Sequence, residues 1–136
     1  MKAQEIQDMY IGLRNIVSKR VPIKMSFIIN RNLKKMEEVV KDIDENRQKL
    51  LEKYGEKKED GTLNIDKNGN VAVEKSKTVN YLMELSEIMN ADIDITLDKV
   101  TLSDIEKCDT ADYDKLSVEE VGALEKMMIE DKPNEQ

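Results

Sequence analysis

Two groups of oxygen-bearing side chains have spacings that occur in functional sites. The first group, Asp92, Asp94 and Thr96, forms a D-x-D-x-T pattern. Phosphatases with an aspartate nucleophile use this spacing, because one Asp attacks phosphorus while the other transfers protons. Those enzymes also need a long parallel sheet and further Lys and Asp elements, for which a chain of 136 residues has no room. We therefore interpret these residues as the solvent-facing side of a β-strand.

The second group resembles the first half of an EF-hand calcium loop. Asn64, Asp66, Asn68 and Gly69 place oxygen ligands at alternate positions and glycine at the sixth. The twelfth position, however, is Lys75 rather than the bidentate Glu that such a loop requires. The flanking residues also alternate as strands do. We therefore predict a hairpin turn here and no metal site.

Residue types that commonly serve proton transfer and metal binding are scarce. The chain has no His, which is the side chain best suited to proton transfer near neutral pH and the commonest zinc ligand. Cys108 is the only cysteine, so no internal disulfide can form, which suits a reducing cytoplasm. These features favour a non-enzymatic protein without catalytic residues, a cofactor or a metal.

Charge is divided unevenly along the chain. Residues 1–58 carry 14 Lys/Arg and 9 Asp/Glu, a net charge of +5, whereas residues 59–136 carry 8 and 20, a net charge of −12. The acidic half could imitate the phosphates of a nucleic acid and occupy a partner protein's nucleic-acid groove, or it could be an ordinary solvated surface. The carboxylates that we assign to partner binding are Asp92, Asp94, Asp98, Asp104, Glu106, Asp109, Asp112 and Asp114.

We expect no direct contact with a nucleic acid or a membrane. The net charge is −7, and the one basic cluster lacks an aromatic platform. No stretch approaches the roughly 20 apolar residues of a membrane span, and residues 1–5 lack the layout of a secretory signal. The protein is therefore expected to be cytoplasmic. The basic cluster comprises Lys19, Arg20, Lys24, Arg31, Lys34 and Lys35.

Apolar residues recur at steps of three and four through the first part of the chain, which is the period of amphipathic helices. A first helix is predicted from about residue 3 to 18, and a second from about Ile23 to Tyr54. A tight turn before Pro22 makes them antiparallel neighbours. Gly55 is predicted to end the second helix in a left-handed conformation. The far half of that helix must be covered by later segments, which we favour, or by a second molecule.

A small sheet is predicted next. Residues 62–74 alternate as a β-hairpin around Asn68-Gly69, and either a two-residue or a three-residue loop is compatible with this pattern. We favour the three-residue loop, which pairs Ile65 with Val71 and Leu63 with Val73. The segment 92–97 alternates Ile and Leu with polar residues, and it is predicted to join the hairpin in a three-stranded antiparallel sheet.

Further helices are predicted at about residues 77–90 and 118–130. Ser117 and Glu120 form a capping box for the last helix, and Ser103 could start a single helical turn before it. The fold class is then α+β and mostly α, with a long antiparallel helical hairpin, the small sheet and two shorter helices. We predict one domain, 1–136, composed of a helical hairpin (1–55), an acidic α+β portion (56–131) and a frayed tail (132–136).

Three segments carry a resemblance to a known family: PIKMSFIINRNLKKMEEVVKDIDENRQKLLEKYG, MNADIDITLDKVTLSDI and LSVEEVGALEKMMIED. They are similar to short proteins of unknown function that are encoded by phages and prophages of Gram-positive bacteria. The resemblance implies the cytoplasm of an infected or lysogenic bacterium and assigns no catalytic residue. Small acidic phage proteins of this kind often bind host machinery, including defence complexes.

We therefore expect a phage-encoded, non-enzymatic protein that inhibits a host complex through its acidic surface. A nucleic-acid-guided defence effector is the candidate target, which would make the protein anti-CRISPR-like. Charge reversal of Asp104, Glu106, Asp109 and Asp112 together should then abolish binding. The alternative is a phage structural or assembly protein that forms homo-oligomers through the long helix.

Overall fold

The computed structural model of this protein describes residues 1–128. Within that range the chain forms five α-helices and a short 3-10 turn at Lys75–Lys77. The predicted helices near residues 3–18, 23–54 and 77–90 are confirmed, the second with the predicted bounds. The α-helices are α1 (Ala3–Ile16), α2 (Ile23–Tyr54), α3 (Thr78–Met89), α4 (Leu102–Glu106) and α5 (Val118–Glu125).

α1 and α2 form the predicted antiparallel hairpin. Tyr10 lies near Glu37 and Lys41 of α2, whereas Val17, just after α1, lies near Asn30, so the two helices run in opposite directions. Their facing apolar sides make the main core, which segments of the acidic half complete. This core includes Ile6, Met9, Leu13 and Ile16 of α1, Met25, Ile29, Leu33 and Met36 of α2, and Leu97, Val100, Leu124 and Met127.

α3 packs antiparallel along the far half of α2. Tyr81 makes an edge-to-face contact with Tyr54, with ring centroids 6.4 Å apart, while Ile88, further along α3, lies near Ile43. Ile43 and Leu50 of α2 are buried. The prediction that later segments of the chain cover the far half of the long helix is therefore confirmed.

The predicted fold class, α+β with a three-stranded antiparallel sheet, is wrong, because residues 1–128 contain no β-strand. The segment 92–97 does show the predicted alternation, with Ile93 and Leu97 towards the core. Its backbone pairs with the start of the chain instead, where the N–H of Ile93 donates to the carbonyl of Met1 at 2.7 Å. α3 spans about 18 Å and carries this segment away from residues 62–74.

The predicted hairpin at 62–74 keeps its register only next to the turn and forms no ladder. The predicted pairing of Leu63 with Val73 is wrong, because these residues bridge to Lys57 and Gly55, respectively. Ile65 pairs with Val71 in an isolated bridge, as the three-residue loop requires. Three backbone hydrogen bonds then close a triangle among Glu56, Asn64 and Ala72. The N–H of Glu56 donates to Ala72 at 2.7 Å, that of Ala72 to Asn64 at 3.1 Å, and that of Asn64 to Glu56 at 2.8 Å. This closed arrangement takes the place of the predicted sheet.

Two glycines are required by close packing. Gly55 has an extended conformation with a φ of −68°, so the predicted left-handed cap is wrong. A Cβ at this position would lie 2.9 Å from the side chains of both Leu63 and Val71. At Gly12 a Cβ would lie 2.7 Å from the Cβ of Ala123. The absence of a side chain at Gly12 thus lets α5 approach α1 closely.

Capping boxes fix the N-termini of α4 and α5. Ser117 and Glu120 form the predicted box at the start of α5. α4 begins with a box made by Thr101 and Asp104, so the predicted start at Ser103 is wrong. Each box satisfies backbone N–H groups that a helix leaves unpaired in its first turn.

α5 ends at Glu125, earlier than predicted. The chain turns out of the helix here, and the carbonyl of Met127 accepts a hydrogen bond from the N–H of Val100 at 2.9 Å. Both side chains are fully buried. The last predicted residues of this helix and the predicted frayed tail at 132–136 lie outside the described residues.

Candidate protein-binding site

Basic residues of the helical hairpin form ion pairs with carboxylates of the acidic half. The Nζ–O distances are 2.6 Å for Lys19–Glu120 and 3.0 Å for Lys24–Asp104. Two further carboxylates complete this contact, which we call the charge seam. It consists of Lys19–Glu120, Arg20–Asp114, Lys24–Asp104, Arg31–Asp98 and Lys35–Asp98. The uneven charge of the sequence is thus in part an internal contact between the two halves.

Asp104 is an almost fully buried member of the seam. Its Oδ2 accepts a hydrogen bond from the N–H of Thr101 at 3.0 Å, and its Oδ1 accepts one from Lys24 at 3.0 Å. The bond from the Thr101 N–H, followed by that from Lys24, lowers the pKa of Asp104 despite the opposing effect of burial. The charged form of this carboxylate is therefore the one that the fold stabilises.

Glu120 occupies the equivalent position in α5. Its Oε1 accepts hydrogen bonds from Lys19 at 2.6 Å and from the N–H of Ser117 at 2.7 Å. Lys19 also donates to the carbonyl of Lys115 at 2.9 Å, which ties the residues before α5 to the hairpin. Burial alone would raise the pKa of Glu120, but the bonds from Lys19 and Ser117 outweigh it and lower the pKa.

Asn32 is a residue of this contact that the sequence reasoning missed. It is fully buried in α2 and binds the backbone of Asp98 twice. The N–H of Asp98 donates to Oδ1 at 2.7 Å, and Nδ2 donates to the carbonyl of Asp98 at 3.0 Å. Position 32 lies three residues after Ile29 and four before Met36, so it shares their buried face. A polar residue among the apolar positions of that face is the sequence feature that could have identified Asn32.

The eight predicted binding carboxylates divide into four that form ion pairs and four that do not within residues 1–128. Asp98, Asp104 and Asp114 belong to the charge seam, and Asp92 lies 3.9 Å from Lys2 with its side chain exposed. The backbone N–H of Arg20, which donates to Asp114 at 2.7 Å, lowers the pKa of Asp114. Within residues 1–128 the remaining four form no ion pair. They are Asp94, Glu106, Asp109 and Asp112, all of them exposed.

Two of these unpaired carboxylates border a groove between α4 and the start of α5. The groove has a volume of about 470 Å³, with Glu106 and Asp109 at its edge. We call these two residues the acidic rim. Lys115 also reaches this edge. The apolar floor consists of Ile105, Cys108, Leu116 and Val121.

Cys108 contributes a sulfur atom to the floor but little reactivity. Its side chain is buried, and its Sγ lies 3.6 Å from the carbonyl oxygen of Asp104. Burial, with a smaller effect from the Asp104 charge, raises the pKa of the Cys108 thiol. Because the thiolate is the nucleophilic form, this thiol is poorly suited to covalent chemistry.

The two patterns that resembled catalytic and calcium sites have structural roles. Asp92 and Asp94 are exposed, and they alternate with the partly buried Ile93 and Ile95 on the way to the buried Leu97. The Oδ1 of Asp66 accepts hydrogen bonds from the N–H groups of Asn68 at 2.8 Å and Asn70 at 3.0 Å, which is the pattern of a turn. No cluster of three potential metal ligands from His, Cys, Asp or Glu occurs among the described residues.

Comparisons of the chain with protein-family models, curated proteins and solved structures give no match. The functional assignment therefore draws no support from these comparisons. In the described part of the chain, no helix combines the length and the apolar character needed to cross a bilayer.

Proposed function

We propose that this protein is a non-enzymatic binding protein whose groove accepts an apolar residue and a neighbouring Lys or Arg of a partner protein. One observation supports this assignment above the others. Glu106 and Asp109 lack an ion-pair partner within residues 1–128, although the nearby Asp104 and Glu120 are both paired. Their charge is available to an external cation, and it lies next to apolar side chains that can bury part of a ligand.

The groove restricts the chemistry of its ligand. A volume of about 470 Å³ is at the small end of ligand sites, so it suits one or two side chains of a partner rather than a whole helix. The floor favours an apolar side chain, and the acidic rim favours Lys or Arg beside it. Lys115 disfavours a ligand that is basic along its full length. An apolar residue flanked by a basic residue on one side fits best.

We further propose that the protein is phage-encoded and inhibits a host complex in the bacterial cytoplasm. The resemblance of three segments to phage and prophage proteins supports this setting. A nucleic-acid-guided defence effector is a suitable target because its guide and DNA channels are lined with Lys and Arg, which an acidic rim can contact. The carboxylates of the charge seam are occupied internally, so the mimicry we propose uses the acidic rim.

The test is inhibition of a CRISPR defence in a Gram-positive host challenged with a sensitive phage. The wild-type protein should restore plaque formation, and the variant Glu106→Lys/Asp109→Lys should not. Asp104 is left unchanged, because its replacement would disturb the fold. The matched control, Glu38→Lys/Glu52→Lys, makes the same change in net charge at exposed positions of α2 and should behave as wild type.

Affinity capture from the infected host then separates the two parts of the proposal. Partners that bind wild type and the control, but bind the rim variant at least about tenfold more weakly, identify the target of the rim. Equal capture by all three proteins would exclude the rim as the binding surface. Capture that depends on the acidic rim, with no effect on the CRISPR defence, would support the binding site and contradict the anti-defence role.

A further inference from the structure

Self-association of this protein requires an apolar surface that lies outside the packing of α2 against α1 and α3. α3 offers one, because it contains no buried residue. Its inner face carries Tyr81 and Ile88, which lie against α2. Its outer face is also apolar. There Val79, Leu82 and Met83 are 69%, 55% and 59% exposed.

The outer face of α3 is complementary to itself in one antiparallel register. Val79, Leu82, Met83 and Ser86 follow steps of three, one and three residues, which places them on one side of the helix. A two-fold axis between positions 82 and 83 sets Leu82 against Met83 of a second copy. The same axis sets Val79 against the small Ser86. Large residues thus meet small or flexible ones along the whole contact.

Charge favours the antiparallel direction. Lys75 is exposed just before α3, and Glu87 is exposed near its end. An antiparallel pair brings each Lys75 towards the Glu87 end of the other copy. It also orients the two helix dipoles in opposite directions, which is the favourable arrangement. A parallel pair would place like charges together. We propose that α3 forms a two-fold symmetric dimer with α3 of a second copy through Val79, Leu82, Met83 and Ser86.

The size of the surface indicates a weak dimer. The three exposed apolar side chains offer on the order of 300 Å² per copy, about the size of the largest apolar patch on an ordinary monomer. A standard interface buries roughly 800 Å² per partner. The dimer should therefore form at high protein concentration and dissociate on dilution. The groove lies on α4 and α5, so this dimer is independent of the proposed function.

Sedimentation equilibrium tests the surface. The wild-type protein should move from monomer to dimer between roughly 10 μM and 1 mM, the range expected of so small an interface. Leu82→Glu places two like charges at the axis and should keep the protein monomeric. Phe27→Glu, which changes an exposed apolar residue of α2, should dimerise as wild type does. A monomeric wild type at 1 mM, or a dimer lost in Phe27→Glu alone, would overturn the proposal.

Disulfide formation tests the register. Val79→Cys and Ser86→Cys should each stay largely uncrosslinked on oxidation, because like positions lie about 10 Å apart along the axis in the proposed dimer. A mixture of the two variants should form a disulfide-linked pair. Efficient linkage of Val79→Cys to itself would indicate a parallel dimer, and no linkage in the concentrated mixture would reject the contact. The native Cys108 is buried and serves as an internal control.

Discussion

Glu106 and Glu120 are the same residue type in the same acidic half of the chain, yet they have opposite surroundings. Glu120 lies in the first turn of α5, where its carboxylate accepts hydrogen bonds from a backbone N–H and from Lys19. Glu106 is the last residue of α4 and is exposed. The helix N-terminus attracts a carboxylate, and the C-terminus does not. Position within a helix therefore separates Glu120 of the charge seam from Glu106 of the acidic rim.

Asp104 and Asp109 repeat this contrast around α4. Asp104 lies in the first turn, pairs with Lys24 and is almost fully buried. Asp109 lies beyond the helix, at the edge of the groove. The net charge of −12 in residues 59–136 is thus divided between carboxylates that hold the two halves together and carboxylates that remain available to a partner. Total charge alone does not distinguish them.

Among the variants that distinguish the charge seam from the acidic rim, Glu120→Ala should cause the largest loss of stability. It removes the capping acceptor and the partner of Lys19, so we expect about 2–3 kcal/mol less stability. Glu106→Ala should change the free energy of unfolding by no more than about 0.5 kcal/mol. Urea unfolding followed by circular dichroism at pH 7 measures both. Equal losses in the two variants would refute the division into charge seam and acidic rim.

Acid should weaken the charge seam. The pKa values of Asp104, Asp114 and Glu120 are lowered in the folded protein, so the unfolded chain binds more protons at low pH. The stability they contribute is present above their ordinary pKa of about 4 and is lost as the pH falls through the lower folded values. We expect the urea midpoint to decline progressively below about pH 5.

A variant pair identifies the groups responsible for that decline. Asp104→Asn/Glu120→Gln should be less stable at pH 7 and should lose less stability on acidification, because two of the titrating groups are gone. Glu106→Gln/Asp109→Asn should retain the decline of the wild type. A decline that persists unchanged in the first variant would assign the acid sensitivity to other carboxylates.

Much of the helical part could be predicted because its signals are local. The three and four residue period gave the bounds of α2, and the Ser117–Glu120 spacing gave the start of α5. Asn68-Gly69 gave the hairpin register, in which Ile65 faces Val71. Each of these features depends on residues close in sequence.

The features that failed depend on tertiary contacts. The alternation in the segment 92–97 correctly gave its buried side, but it could not show that the backbone pairs with the start of the chain. Gly55 is required by the approach of Leu63 and Val71, which no local pattern reveals. The charge totals likewise could not show that Lys24 neutralises Asp104 while Glu106 stays unpaired within the described residues.

Asp98 should give a smaller effect than Glu120, because its carboxylate is 26% exposed in its ion pairs, whereas that of Glu120 is 4% exposed. The side chain of Arg31 is 67% exposed, and such pairs contribute about 0.2–1 kcal/mol. Asp98→Asn should cost no more than this, and the difference from wild type should shrink in 0.5 M salt. Asp94→Asn is the matched control and should have no effect. A loss well above 1 kcal/mol would mean that the Asp98 side chain, rather than the bonds of its backbone to Asn32, holds this segment on α2.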